Sequence, residues 1–241
     1  MKEFCKLIAD DLDPLDGSNS FHAEKLEPAP ELYDLEHIIA NDRLYGKWNK
    51  DIIKFAIDNN MSHMSDSQLR KAVNWSQTPW DFAIRTKIKF VTDKIQADFT
   101  FEFKPTNADQ YLTSGTLAYA GYPNGILKDV IVINSDFPYT PDGHPVSGQV
   151  LQSWGFNVQS LTNYYKTWDL DQILKHEMGH KLGLPHSPND DRVMSSNYGI
   201  MAEILTHEEK LRIWQKYPKR RSYDKIMARL GNLIRRRQEN Y

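Results

Sequence analysis

Residues His176 to Met194 constrain this chain more than any other stretch. They read His176-Glu177-Met178-Gly179-His180-Lys181-Leu182-Gly183-Leu184-Pro185-His186, and Met194 follows eight residues after the last histidine. Side chains four apart share one face of a helix, so His176 and His180 can aim ring nitrogens at a single metal ion. Glu177 stands one position on, flanking the same cleft without being a ligand, as a base acting on metal-activated water requires. Glycine accepts the left-handed backbone that ends helices, which makes Gly183 the expected stop. Pro185 bars continuation, and the reversed chain can return His186 as a third ligand. Three neutral imidazoles around zinc leave a fourth tetrahedral position open, which separates a catalytic ion from a structural one. The spacing therefore predicts His176, His180 and His186 as metal ligands and Glu177 as general base. A solvated helix with two coincidental histidines competes with HExxH alone; Gly183, His186 and Met194 at matching offsets displace it.

HExxHxxGxxH followed by a methionine turn is the signature of the metzincin metallopeptidases, and the chain resembles that family. The interval from His186 to Met194, and Ser187 after the third histidine, are most similar to the matrixin branch. The resemblance implies that Met194 sits in a tight turn beneath the metal as a hydrophobic floor and not as a ligand. It also implies that Ser195 to Tyr198, with Tyr198 among the substrate-binding residues, wall the pocket receiving the side chain past the scissile bond.

From Leu44 the chain resembles the start of a matrixin catalytic domain. Ile52 to Ile57 reads as a first strand, and Ser65 as the N-cap of a helix running to about Pro79. Ile84 to Val91 and Ala97 to Phe103 alternate at period two, and Thr116 to Ala120 and Val130 to Ile133 complete five strands. Asp169 and Gln172 read as the capping pair of the active-site helix, and Thr206 as the N-cap of a closing helix. The expected architecture is α/β (α+β): a five-stranded mixed sheet with an active-site helix and a C-terminal helix. By resemblance Thr116 to Ala120 is the cleft's edge strand, where an extended substrate adds through main-chain hydrogen bonds to Leu117, Ala118 and Tyr119. Many matrixins carry a histidine for a second, structural zinc where Tyr119 stands, so one catalytic zinc is expected. Asp129, Asn134 and Asp136 offer oxygens suited to calcium, with solvated loop carboxylates as the competing reading. The connection from Ser135 to Trp168 exceeds the usual loop, and its aromatics either rim the cleft, dock a partner or pack as a satellite cluster.

The termini differ from the centre. Residues 1–43 hold eleven Asp and Glu against four Lys and Arg. They form an acidic segment, read either as a pro-segment or as a flexible or partner-binding arm. Cys5 lacks the PRCGxPD-like surroundings with which a secreted relative's pro-segment cysteine meets the zinc. Being the single cysteine, it also excludes an internal disulfide framework. Residues 44–217 are the expected peptidase domain. Residues 218–241 form a basic, amphipathic helix suited to nucleic acid, an anionic surface or a protein. No run approaches the roughly 18 apolar residues of a membrane span. The opening residues are soon acidic, unlike a signal peptide, so a cytoplasmic or particle-associated location is expected over classical secretion.

Two function classes follow. One is a zinc-dependent endopeptidase acting on an extended protein substrate. The other is a structural or interaction component of an assembly, such as a viral or phage particle, that retains the fold. Glu177 favours the first, because holding a metal alone does not need it.

Overall fold

The computed structural model describes residues 45–58, 63–187, 192–196, 198 and 204–220, together with the backbone of residues 5–8. The five expected strands form one mixed sheet. They are β2 (Ile52–Asp58), β3 (Lys87–Phe90), β4 (Phe99–Lys104), β5 (Thr116–Ala120) and β6 (Val130–Asn134). Residues Cys5–Ile8 add a sixth strand, β1, that the sequence pattern did not announce, and the full order is β1-β5-β6-β4-β2-β3. Strands β3, β2, β4 and β6 run parallel, while β5 lies antiparallel to β6 and β1 antiparallel to β5.

Alternation explains β4: Phe99, Phe101 and Phe103 are buried while Thr100, Glu102 and Lys104 face partly outward. Parallel β2 and β3 need a crossover, and helix α1 (Asp66–Ala83) supplies it. Ser65 and Gln68 form a complete capping box at its start. The helix continues past Pro79, four residues beyond the expected end. Proline forfeits one helical hydrogen bond. Trp80 and Ala83, both fully buried in the core, offset that loss by packing. The following strand is correspondingly shorter than Ile84 to Val91. Ile84 is spent on the helix end, its N–H donating to Trp80 O, and it bridges only to Lys219.

The long connection carries short elements: β7 (Tyr139–Thr140), β8 (Val146–Ser147), helix α2 (Gly148–Ser153), β9 (Tyr164–Tyr165) and β10 (Trp168–Asp169). β7 pairs with β10, and β8 with β9. Trp154 stacks on His63 with ring centroids 4.7 Å apart, and Trp168 meets Phe137 edge-on. These aromatics pack on the domain, while Tyr164 stays exposed. Two of the three residues suggested for calcium, Asn134 and Asp136, make hydrogen bonds within the chain. Asn134 donates from Nδ2 to Thr116 O at 2.9 Å and accepts the Asp136 N–H, and Asp136 accepts the Thr106 N–H.

Helices α3 (Leu170–Lys181) and α4 (His207–Lys216) complete the core. The indole of Trp80 in α1 donates to Lys175 O at 2.9 Å, tying α1 to α3. Among the described residues no helix is long and apolar enough to cross a membrane. Of the basic segment only 218–220 is described; Pro218 O accepts the Arg85 N–H and Arg220 pairs with Asp81. The remainder, residues 221–241, lies outside the described residues, as does the acidic segment apart from β1.

Candidate active site

Asp169 caps α3 by accepting the Gln172 N–H at 3.2 Å, as its spacing predicts. Leu170, Ile173, Leu174 and Met178 bury one face of the helix in the core and fix its rotation. The helix ends at Lys181, and Gly183 follows at φ +88. A side chain is barred there twice, since a Cβ would also lie 2.3 Å from Gly46 O. The reversal carries His186 back to the helix.

The three histidines converge. One nitrogen of each lies within 4.8 Å of the other two, and among the described residues they are the group of acidic, cysteine or histidine side chains able to hold a metal. His176 Nδ1 donates to Val193 O at 2.8 Å, and His180 Nδ1 donates to Leu184 O at 2.6 Å. Each ring therefore carries its proton on Nδ1, leaving the Nε2 lone pair bare. Those two Nε2 atoms face each other at 3.0 Å. Two acceptors at that distance repel unless something positive lies between or beside them, so the donor set calls for a cation. Burial, with His186 adding repulsion, pushes His176 down to about 3. Burial and the other two imidazoles hold His180 well below its ordinary value. His186 falls to about 4 through burial and the nearby Arg212. All three rings are neutral near pH 7, as zinc ligands must be.

Glu177 is fully buried, and neither carboxylate oxygen has a hydrogen bond. Burial raises it well above the ordinary carboxylate value, and Lys181 one turn on opposes that rise. A carboxyl left without partners in a protein interior costs stability, so such a group is retained for chemistry. Lys181 is itself fully buried. Its ammonium donates to Gly121 O at 2.9 Å and Leu127 O at 2.7 Å, tying the end of β5 to the loop before β6.

The methionine turn is built from below. Met194 N–H donates to Glu209 Oε1 at 2.8 Å, and Met194 O accepts the Ser187 N–H at 2.7 Å. The other oxygen of Glu209 accepts from Thr206 N–H and Oγ1, closing the capping box of α4. Val193, which orients His176, sits immediately before Met194. Gly179 lies against the methionine: a Cβ there would fall 2.2 Å from the Met194 sulfur.

The matrixin family model matches residues 47–217. The chain belongs to the matrixin family. Its relatives include karilysin of Tannerella forsythia, 25% identical over 179 residues that make up 71% of this chain and 33% of karilysin. A metalloendoproteinase of Arabidopsis thaliana, 1-MMP, is 22% identical over 151 residues, 61% of this chain and 37% of that protein. The chain spans about a third of the length of these curated relatives. Matrixins are zinc metallopeptidases, and His176, His180 and His186 are the residues placed to hold the zinc of this one.

The residues expected along the substrate path lie as follows. Leu117 and Ala118 are fully buried, their side chains in the main core. Tyr119 turns to the other face of the sheet, joins Leu112 and Val132, and donates its hydroxyl to Asp109 at 2.8 Å. The Tyr198 ring packs edge-on against Trp168 at 4.6 Å, and its hydroxyl accepts the Asp169 N–H. Sequence reasoning missed Lys181, Gly179 and Glu209. A glycine inside a helix was a visible signal for the second, and a lysine among ligands on a core helix for the first. Nothing local marks Glu209 as more than a cap.

Proposed function

We propose that this matrixin is an endopeptidase that hydrolyses peptide bonds of an extended protein substrate. The supporting observation is Glu177, a buried carboxylate with both oxygens unbonded, set in the sequence between two histidines whose bare nitrogens face each other. Zinc held by the trio would polarise the scissile carbonyl and acidify water. The chain's own part is proton management. Glu177 takes a proton at a carboxylate oxygen as water attacks the carbonyl carbon, then returns it to the departing amine nitrogen. Ionisation at neutral pH is consistent with this role, because a dication nearby counters the upward push of burial. Val193 O and Leu184 O hold two imidazoles in the tautomer that presents Nε2. The main chain of Leu117, Ala118 and Tyr119 supplies the edge for an extended backbone, and Tyr198 stands beyond the turn as a wall of the pocket. A non-catalytic assembly role has no support among the relatives.

The test compares wild type with Glu177→Gln on an unstructured protein substrate, with zinc measured in both. Loss of about 10²- to 10⁴-fold in turnover with stoichiometric zinc in each is expected. Equal turnover in the two proteins, or no zinc in either, overturns the proposal.

A further inference from the structure

His186 is the one ligand of the trio that α3 does not carry, so its main chain must be fixed from elsewhere. Leu184, two residues before it, has both backbone groups engaged: its N–H donates to Gly179 O at 3.0 Å and its carbonyl accepts from His180 Nδ1. Ser187, one residue after it, donates its N–H to Met194 O at 2.7 Å. Between them stands Pro185. Proline has no N–H, so its carbonyl is the polar main-chain handle it offers. That carbonyl belongs to the peptide group whose nitrogen is that of His186. Arg212 of α4 donates to it from Nη2 at 3.1 Å.

Arg212 is fully buried. Burying a guanidinium is costly unless its donors and its charge are matched. Its Nη1 lies 3.7 Å from Glu208 Oε1 one turn back, and Glu208 Oε2 lies 3.6 Å from Arg192 Nε. Arg192 stands two residues before Met194, and its carbonyl accepts the Ser195 N–H at 3.2 Å. One turn of α4 thus grips two segments at once: the arm that delivers His186 and the entry to the methionine turn. Arginine suits the position, because its rigid planar fork holds two partners in a fixed relation.

The same side chain acts on a bound dication in two opposed ways. Its charge reaches His186, where it disfavours further positive charge, so charge alone would weaken zinc binding. Its hydrogen bond keeps the third ligand's peptide in place before the metal arrives, and that preorganisation strengthens binding. Glu208, paired with the guanidinium, cancels part of the repulsion.

We propose that Arg212 is a positioning residue for the metal: through Pro185 O it sets the third zinc ligand, and this grip outweighs the repulsion of its charge. The inference rests on the zinc reading of the histidine trio and not on peptide hydrolysis.

The experiment uses the full chain with Arg212→Met, which keeps an unbranched stem and removes the donors together with the charge. Zinc affinity is read by competition with a chelator, and the visible absorption of cobalt(II) in the same site reports the ligand geometry. A loss of zinc affinity of roughly 10- to 100-fold is expected, with a cobalt spectrum changed from that of wild type. Ile213→Ala opens a cavity at the next residue of the same helix, so it destabilises the protein without touching the grip. It should bind zinc as wild type does and leave the cobalt spectrum unchanged. Arg212→Met combined with Glu208→Gln removes the ion pair as a unit and leaves no carboxylate stranded. It should show the same loss, and it carries the test if the single variant does not fold. Equal or tighter zinc binding by a folded Arg212 variant overturns the proposal, because repulsion then outweighs the grip. A comparable loss in Ile213→Ala overturns it too, since general destabilisation would account for the effect. No zinc bound by wild type overturns the zinc reading itself, and the proposal with it.

Discussion

Gly179 and Met194 fit against each other with no room for a methyl group: a Cβ on the glycine would meet the methionine sulfur at 2.2 Å and the Trp80 ring at 2.9 Å. The glycine of the zinc-binding helix is thereby explained by the turn beneath it. Alanine inside a helix is favoured over glycine by about 1 kcal/mol, so an unobstructed Gly179→Ala would stabilise the protein. Overpacking a closed core costs about 1–3 kcal/mol, and here it should win. Gly179→Ala is expected to lower Tm by several degrees, and Gly179→Ala with Met194→Ala to lose less than the two single changes summed. A rise in Tm for the single variant would contradict the packing.

Glu209 holds the turn from the opposite side. Its carboxylate satisfies the N–H groups of Met194 and Thr206, at 2.8 Å each. Glu209→Ala strands both donors and should cost about 2–4 kcal/mol. Val193 O, one residue before that anchored amide, orients His176, so zinc affinity should fall roughly 10- to 100-fold in parallel. Competition with a chelator measures the affinity, and chemical denaturation the stability.

The site was legible in the sequence because its ligands are local. His176, Glu177 and His180 share one helix, Gly183 and Pro185 dictate the reversal, and His186 follows at a fixed offset. The five strands were legible from alternation, as in Phe99, Phe101 and Phe103. What escaped depends on long-range contacts. The end of α1 was set by Trp80 and Ala83 packing in the core, which overrode the local signal of Pro79. The pairing of β1 with β5 joins residues about a hundred positions apart, through backbone groups that leave no trace in side-chain pattern. Lys181 carried no reading of its own, because its two carbonyl partners, Gly121 O and Leu127 O, lie more than fifty residues away.

Those partners make Lys181 a structural donor, although burial lowers it to about 7 against the opposing pull of Glu177 and Asp129. Lys181→Met preserves the length of the stem and removes the nitrogen that donates to Gly121 O and Leu127 O, while Leu127 O keeps the Val130 N–H at 3.4 Å. A buried carbonyl that loses its donor costs about 1–3 kcal/mol, less whatever the chain recovers by relaxing. A loss of about 1–3 kcal/mol in denaturant unfolding is expected. Increased hydrogen exchange should be confined to residues 120–128. Unchanged stability would mean that the apolar stem, and not the charge, fills this space.

Asp169 gives a pH dependence whose sign can be worked out. Burial and the Asp171 carboxylate raise it to about 7 from an ordinary 3.8, against the pull of its helix-capping bond to Gln172 and of Lys175. A folded value above the unfolded one means that the native state keeps its proton longer. Stability from this group is complete below pH 4, declines as pH rises from 4 to 7, and is flat above that. Asn at this position still caps the helix through its side-chain oxygen but carries no charge. Asp169→Asn should therefore match wild type near pH 4 and exceed it increasingly up to pH 7. Above pH 7 the advantage should hold at about 1–3 kcal/mol, less than the whole shift implies because the side chain is partly exposed. Denaturant titrations of both proteins at pH 4, 5.5, 7 and 8.5 give the difference directly, and the histidine contributions common to both cancel. A difference independent of pH would show that Asp169 ionises like any surface carboxylate. The capping bond and the helix dipole would then offset burial at the start of the zinc-binding helix.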